Sequence, residues 1–170
     1  ATRAKRLLRT PFPSCLANIQ RGGLAPTPII WGSIVATQFS DAAVHAALDA
    51  IETATGTTPT LEFRSGAKPT NCGSADAGTL LATGTLPSDW LAAASSRAKA
   101  KAGSWTATGQ AAAGAGTSIG HFRIKQGATC HFQGSVTVTG GGGDMTVDNI
   151  SVANAQIVTV GTFALTGPAA

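Results

Sequence analysis

The sequence predicts a mainly β protein: an antiparallel β-sandwich of about seven strands with one N-terminal α-helix. Three observations carry that expectation. From Thr58 onward, short runs of alternating or β-branched residues recur with Gly-rich turns between them. All connections look short, and no strand–helix–strand alternation interrupts the series. The one stretch with helical periodicity, residues 39–54, comes before the first strand. The 170 residues suit one ordinary domain, and 43 % hydrophobic residues can build a real core.

Residues 1–35 form an irregular basic segment. Pro11, Pro13, Pro26 and Pro28 break any regular element there, and no Asp or Glu occurs. Two readings stand: a basic arm that binds a partner, or a stretch not natively translated, with initiation near Val35 at a non-ATG codon. The basic start followed by PFPSCLANIQRGGLAP has no continuous apolar stretch of the signal-peptide kind, so no export signal is read. Residues 36–57 hold the helix and a linker. Ser40 or Asp41 caps it. Val44, Leu48 and Ile51 line one face, and five alanines between 42 and 50 raise helix propensity. Gly56 and Pro59 end it. The stripe is narrow, which suits a helix lying on the edge of a sheet.

Residues 58–170 make the β domain. TLEFRS (60–65) alternates, with Leu61 and Phe63 on one face and Glu62 and Arg64 on the other. GTLLATGTL (78–86) follows, then a loop over 87–103 in which DWLAAA suggests a short helical turn, with Asp89 as its cap. SWTATGQ (104–110), IGHFRIKQ (119–126), TCHFQGSVTV (129–138), the short DMTVDN (144–149) and QIVTVGTFALT (156–166) complete the series. The hairpin at KQGAT is specific enough for a register. Pairing Lys125 with Thr129 turns Phe122, Ile124, Cys130 and Phe132 inward, and His121, Arg123, Lys125, His131 and Gln133 outward.

Charge narrows the function classes. Only 12 % of residues are charged, about half the usual ~25 %. The net +4 comes from the N-terminal segment, because from Ala36 onward seven basic residues face eight acidic ones, 7 − 8 = −1. The domain therefore carries no electrostatic footprint for nucleic acid, which leaves only Arg3, Lys5, Arg6 and Arg9 as candidate contacts to it. No apolar run reaches the ~18 residues of a membrane span.

No set of residues assembles an active site, and the expectation is a non-enzymatic chain without cofactor or metal. His121 and His131 sit diagonally across the hairpin with no third ligand for a zinc. Asp76 and Asp89 lie in loops that nothing brings together. No nucleophile-elbow context surrounds any serine. GGGGD (140–144) lacks the strand and helix that would make it an anion cradle and reads as a flexible loop. Trp90 and Trp105 fit core packing better than a sugar-stacking platform. Cys72 and Cys130 either form a bridge in an oxidising compartment or stay as thiols, with Cys130 placed in the core by the hairpin register.

The stretches FSDAAVHAALDAI, LEFRSGAKPTNCGSADAGTLLATGTLPSDW, HFRIKQGATCHFQGSV, GGDMTVDN and QIVTVGTFALT, in that order, resemble a family of small bacteriophage virion proteins. The resemblance runs from Phe39 to Thr166 and does not include the first 35 residues. It implies a capsid decoration subunit located in the virion, oligomeric, with the major capsid protein or other virion proteins as partners. Trp90, Arg97, Lys99 and Lys101 of the 87–103 loop, with His45 and Asp49 of the helix, are the candidate contact residues. A tail, neck or fibre component and a carbohydrate-binding surface module are the alternatives.

Overall fold

The computed structural model describes residues 38–114 and 117–168; the basic segment, with Arg3, Lys5, Arg6, Arg9 and Cys15, lies outside them. Among the described residues one helix, α1 (Asp41–Thr55), precedes eight strands: β1 (Thr60–Ser65), β2 (Leu80–Thr85), β3 (Ala98–Ala100), β4 (Thr106–Gly109), β5 (Ile119–Gln126), β6 (Thr129–Val138), β7 (Met145–Val147) and β8 (Ile157–Thr166). The mainly β class with one helix is as expected. The two-sheet antiparallel sandwich is corrected. The pairings run β8-β4-β2-β1-β5-β6-β7, and β7 pairs back onto β8, so seven strands close into a barrel. Closure removes sheet edges that a sandwich would leave open. The eighth strand, β3, lies beside β8, where Ala98–Ala100 face Thr166–Ala164.

The helix begins where capping chemistry starts it. The Ser40 Oγ accepts the Ala43 N–H at 3.2 Å. Gly56, with φ of 84°, ends it, and its N–H reaches the Glu52 carbonyl. Val44 and Leu48 are buried as the periodicity requires; Ile51 stays 39 % exposed, and Thr55 takes the inner position one turn on.

The strands match expectation closely, except in the 87–103 loop. DWLAAA forms no helical turn, so Asp89 caps nothing, and β3 follows instead. A two-residue reversal at Ser96 and Arg97, both at positive φ, pairs Ser95 with Ala98.

The β5–β6 hairpin departs from the expected register by a bulge. Gln126 pairs with Thr129 and Lys125 with Cys130, but Ile124 pairs with Phe132, leaving His131 as the extra residue. Phe122 and Ile124 point inward as expected, with Phe132 packed against the core. Cys130 does not: it shares the outer face with Lys125 and forms a disulfide with Cys72, their Cα atoms 5.2 Å apart.

β7 is the one parallel partner, alongside β6. Parallel neighbours usually need a crossover of a dozen residues or more. Here GGGGD folds straight back along the end of β6, so the expected flexible loop is an ordered reversal. Gly140 and Gly142 adopt positive φ, and the Gly143 N–H and Asp144 are tied to Thr137 and Ser135.

The barrel is filled by Leu61, Phe63, Leu81, Ile124, Met145, Val158 and Val160, with an aromatic cluster at one side. Trp90 meets Trp105 and Phe132 at ring separations of 5.9 Å, and Phe163 joins Trp105 to Phe122 at 5.3 and 5.7 Å. The Trp90 Nε1–H donates to the Gly56 carbonyl, and that of Trp105 to the Ala102 carbonyl, so neither indole is left unsatisfied.

Candidate functional site

Three regions of the domain carry its polar chemistry, and each follows from strand alternation. The outer face of β1 and β5 presents Glu62, Arg64, His121, Arg123 and Lys125. A strand face of that composition belongs in water, yet His121 is 0 %, Arg123 1 % and Lys125 8 % exposed. The cause is the β1–β2 connection, residues 66–79, which lies across this face and supplies acceptors. The Gly66 carbonyl lies 3.0 Å from His121 Nδ1, the Pro69 carbonyl accepts from Gln133 Nε2 at 2.7 Å, and the Cys72 and Ser74 carbonyls accept from Arg123 Nη2 at 2.6 and 3.1 Å.

Asp76 anchors the far end of that connection. Its carboxylate meets Arg123 Nη1 at 2.6 Å, Lys125 Nζ at 2.5 Å and Arg64 Nη2 at 2.8 Å. Glu62 pairs with Arg64 and Lys125 on the same face. Burial pushes the Asp76 carboxyl up, but the Lys125 hydrogen bond and the charges of Arg64, Lys125 and Arg123 outweigh it and hold the carboxyl below the ordinary range. An open depression of about 410 Å³ borders the cluster, lined by Cys72–Asp76, Arg123, Lys125 and Ala128–Cys130.

The second region joins α1 to β3. Lys99, 4 % exposed, meets Asp49 at 2.6 Å and Glu52 at 2.7 Å. Burial alone would lower the Lys99 ammonium, but the hydrogen bonds and charges of the two carboxylates raise it above the usual lysine value. Glu52 also accepts the Leu91 N–H. Arg97 bonds Asp41, the Phe39 carbonyl and the Pro168 carbonyl, and its backbone N–H reaches His45 Nε2 at 3.3 Å.

The third region is the outer face of β2, β4 and β8. Thr83 lies opposite Thr108, Thr108 opposite Ile157, and Thr106 opposite Thr159. No charged residue occurs in these three strands. Thr106, Thr108, Thr159 and Ile157 stand exposed, Ile157 53 % accessible, while Thr83 is half-buried opposite Glu62 of β1, where this face meets the ion cluster.

The expected contact residues therefore divide. Arg97, Lys99, His45 and Asp49 come together, but as a clamp within the chain. Lys101 donates to the Gly103 carbonyl. Trp90 is fully buried and offers no surface to a neighbour. Trp105 is fully buried as well, so these two indoles provide no sugar-stacking platform. His121 and His131 do not form an outward pair: His121 is buried under Gly66, and the bulge sets His131 off the ladder. Arg123, Lys125 and Gln133, expected outward, are covered by the 66–79 connection, and Asp76 stands in the ion cluster while Asp89 is exposed elsewhere. Among the described residues, no three His, Cys, Asp or Glu side chains gather as a metal site, and no helix is long and apolar enough to cross a membrane.

The ion cluster itself was missed by sequence reasoning. A local signal existed for its cationic half, in the alternation of Arg123 and Lys125, but none for the loop that covers it. Comparison of the chain with protein families, curated proteins and solved structures finds no match.

Proposed function

We propose that the chain is a non-enzymatic structural subunit of a bacteriophage particle, of the capsid decoration kind, packing against the major capsid protein and further copies of itself. The observation that carries this reading is the uncharged Thr-rich outer face of β2, β4 and β8. The domain's charges are concentrated elsewhere: Arg64, Arg123, Lys125, Lys99 and Arg97 all find carboxylates within the chain. What remains on the open face is hydroxyl and methyl surface, which costs less to desolvate than charged surface would, provided that the hydroxyls find hydrogen-bond partners across the contact. Such a face gives weak single contacts, but a symmetric shell repeats them many times, and avidity raises the total. A closed barrel adds rigidity, so little conformational entropy is lost on docking.

The resemblance of Phe39–Thr166 to small virion proteins points the same way and selects the phage particle as the setting. The test is electron cryo-microscopy of purified particles that carry a tagged copy of the chain. Density repeated over the icosahedral shell is the expected result. Density confined to one vertex assigns the chain to neck or tail and overturns the decoration role. A chain absent from particles that binds a glycan array overturns the structural reading altogether.

A further inference from the structure

We propose that Cys72–Cys130 is an exchangeable disulfide, a modification site for thiol reductants, whose reduction unlatches residues 66–79 and uncovers the cationic row Arg64, Arg123 and Lys125. This goes beyond the particle role and does not rest on it.

The geometry supplies three arguments. First, the bridge is reachable. Both cysteines are only partly buried, and both line the open depression of about 410 Å³ beside the ion cluster. A small thiol can approach there without unfolding of the barrel, whose core lies on the other face of β5. Second, the surroundings favour exchange. Lys125 pairs directly with Cys130 across the β5–β6 ladder, and Arg123 Nη2 holds the Cys72 carbonyl at 2.6 Å. Cations beside a disulfide attract the attacking thiolate and stabilise the departing one, both of which speed exchange. Third, the bridge has a mechanical job. The 66–79 connection is fastened by backbone carbonyls, by Asp76 and by this single covalent link to β6. Arg123 is 1 % exposed because that connection covers it.

The chemistry balances with a dithiol as reductant. Its thiolate attacks one bridge sulfur, the Cys72–Cys130 bond breaks, and the bonding pair leaves on the other cysteine, which takes up a proton. The second thiol of the reductant then displaces the remaining cysteine, giving two protein thiols and one oxidised dithiol. Without the link, only the carbonyl contacts and Asp76 hold the connection. Once it lifts, Arg64, Arg123 and Lys125 face solvent with Glu62 as their one remaining carboxylate, and the net charge of the cluster rises from 3 − 2 = +1 to 3 − 1 = +2.

The experiment uses the full chain carrying Cys15→Ser, so that only the bridge titrates. Native protein is treated with dithiothreitol, free thiols are counted by alkylation and mass, and amide exchange is followed. Expected is the release of two thiols with exchange in residues 66–79 faster by about tenfold or more, while β1, β2 and β5 keep their protection. The Cys72→Ser/Cys130→Ser double variant should show the same pattern without reductant. At low salt, anionic 2-mercaptoethanesulfonate should also reduce the bridge about tenfold faster per thiolate than cationic cysteamine, and salt should erase the difference. A bridge that resists native reduction, unchanged exchange in 66–79, protection lost throughout the barrel, a double variant that does not fold, or equal rates for the two thiols each overturns the proposal.

Discussion

Asp76 and Arg123 meet at 2.6 Å across 47 residues of sequence, and that contact turns what β alternation would make a solvent face into an interior one. Strand β5 is thereby buried on both sides. Its inner residues Phe122 and Ile124 fill the barrel, and its outer residues His121, Arg123 and Lys125 fill the space under the 66–79 connection. The domain hides its charged face with its own chain and leaves its uncharged face open.

Replacing Asp76 by Asn tests how much that cover depends on the carboxylate. The change keeps the shape and strips the charge that faces Arg64, Arg123 and Lys125. Breaking a buried pair costs ~3–5 kcal/mol, and because Asp76 keeps 33 % of its side chain exposed the expected loss is smaller, about 2–3 kcal/mol. Urea unfolding followed by tryptophan fluorescence reads the change. Asp89→Asn, at an exposed site, should stay within about 0.5 kcal/mol of the parent chain. Equal midpoints for the two variants would show that the carbonyl contacts and the Cys72–Cys130 bridge hold the loop without the carboxylate's charge.

The pH profile should fall at both ends, for opposite reasons. Asp76 and Asp144 both have depressed folded values; for Asp144 the backbone N–H and hydroxyl of Ser135 are the main cause, opposed by burial and helped by Lys68. A depressed carboxyl contributes stability that is complete above the ordinary aspartate value of about 3.9 and is lost as pH falls through the folded value. Lys99 is raised. Its contribution is complete below the ordinary lysine value of about 10.4 and is lost as pH rises through the folded value. The chain has no tyrosine, so phenol ionisation does not contaminate the alkaline limb. Thermal melts across pH should show Asp76→Asn flattening the acid limb and Lys99→Met flattening the alkaline one. A Lys99→Met variant with an unaltered alkaline limb would remove Lys99 as its source.

Local chemistry explains what was legible in the sequence. Helix α1 was readable because its cap at Ser40, its buried Val44 and Leu48 and its stop at Gly56 are all contiguous signals. Strands β1, β5 and β6 were readable by alternation, and their expected bounds agree with the structure. Cys130 was misplaced because a single bulged residue, His131, reverses side-chain parity for everything between it and the turn. Barrel closure was invisible because it depends on a three-residue strand, β7, whose pairing with Phe163 and Val160 has no local signature. The strand at β3 did leave a trace, the alternation of Arg97, Lys99 and Lys101, but the lysines' polarity argued for a loop. Lys99 is buried only because Asp49 and Glu52, about fifty residues earlier, come to meet it.

Gly84 should tolerate no side chain. A Cβ there would collide with the Thr106 carbonyl oxygen on the neighbouring strand, and backbone cannot swing aside as a side chain can. Gly84→Ala must therefore force β2 and β4 apart, at about 1–3 kcal/mol for overpacking. Gly66→Ala also replaces a glycine in the cover loop, but nothing lies near its Cβ, so its cost comes only from the φ of 73°. That strain is about 1 kcal/mol. Unfolding midpoints in the order parent, Gly66→Ala, Gly84→Ala are expected. The reverse order would mean that the β2–β4 seam has slack.

The uncharged face makes the most direct link between structure and role. Thr108 sits at its centre, flanked by Thr83 and Ile157, with its side chain in water. Thr108→Lys changes no buried contact, so the isolated protein should unfold within about 0.5 kcal/mol of the parent. In a shell the same lysine would have to shed its hydration against a neutral neighbour, at every copy, and repetition would multiply a small penalty into exclusion. Ala128, neutral and exposed in the β5–β6 turn, lies outside these three strands, so Ala128→Lys, which adds the same single positive charge, serves as the control for incorporation. Particles assembled with each variant should lack the Thr108→Lys chain and retain the Ala128→Lys chain, read by quantitative mass spectrometry of the purified virions. Normal incorporation of Thr108→Lys would show that the packing surface lies on another side of the barrel.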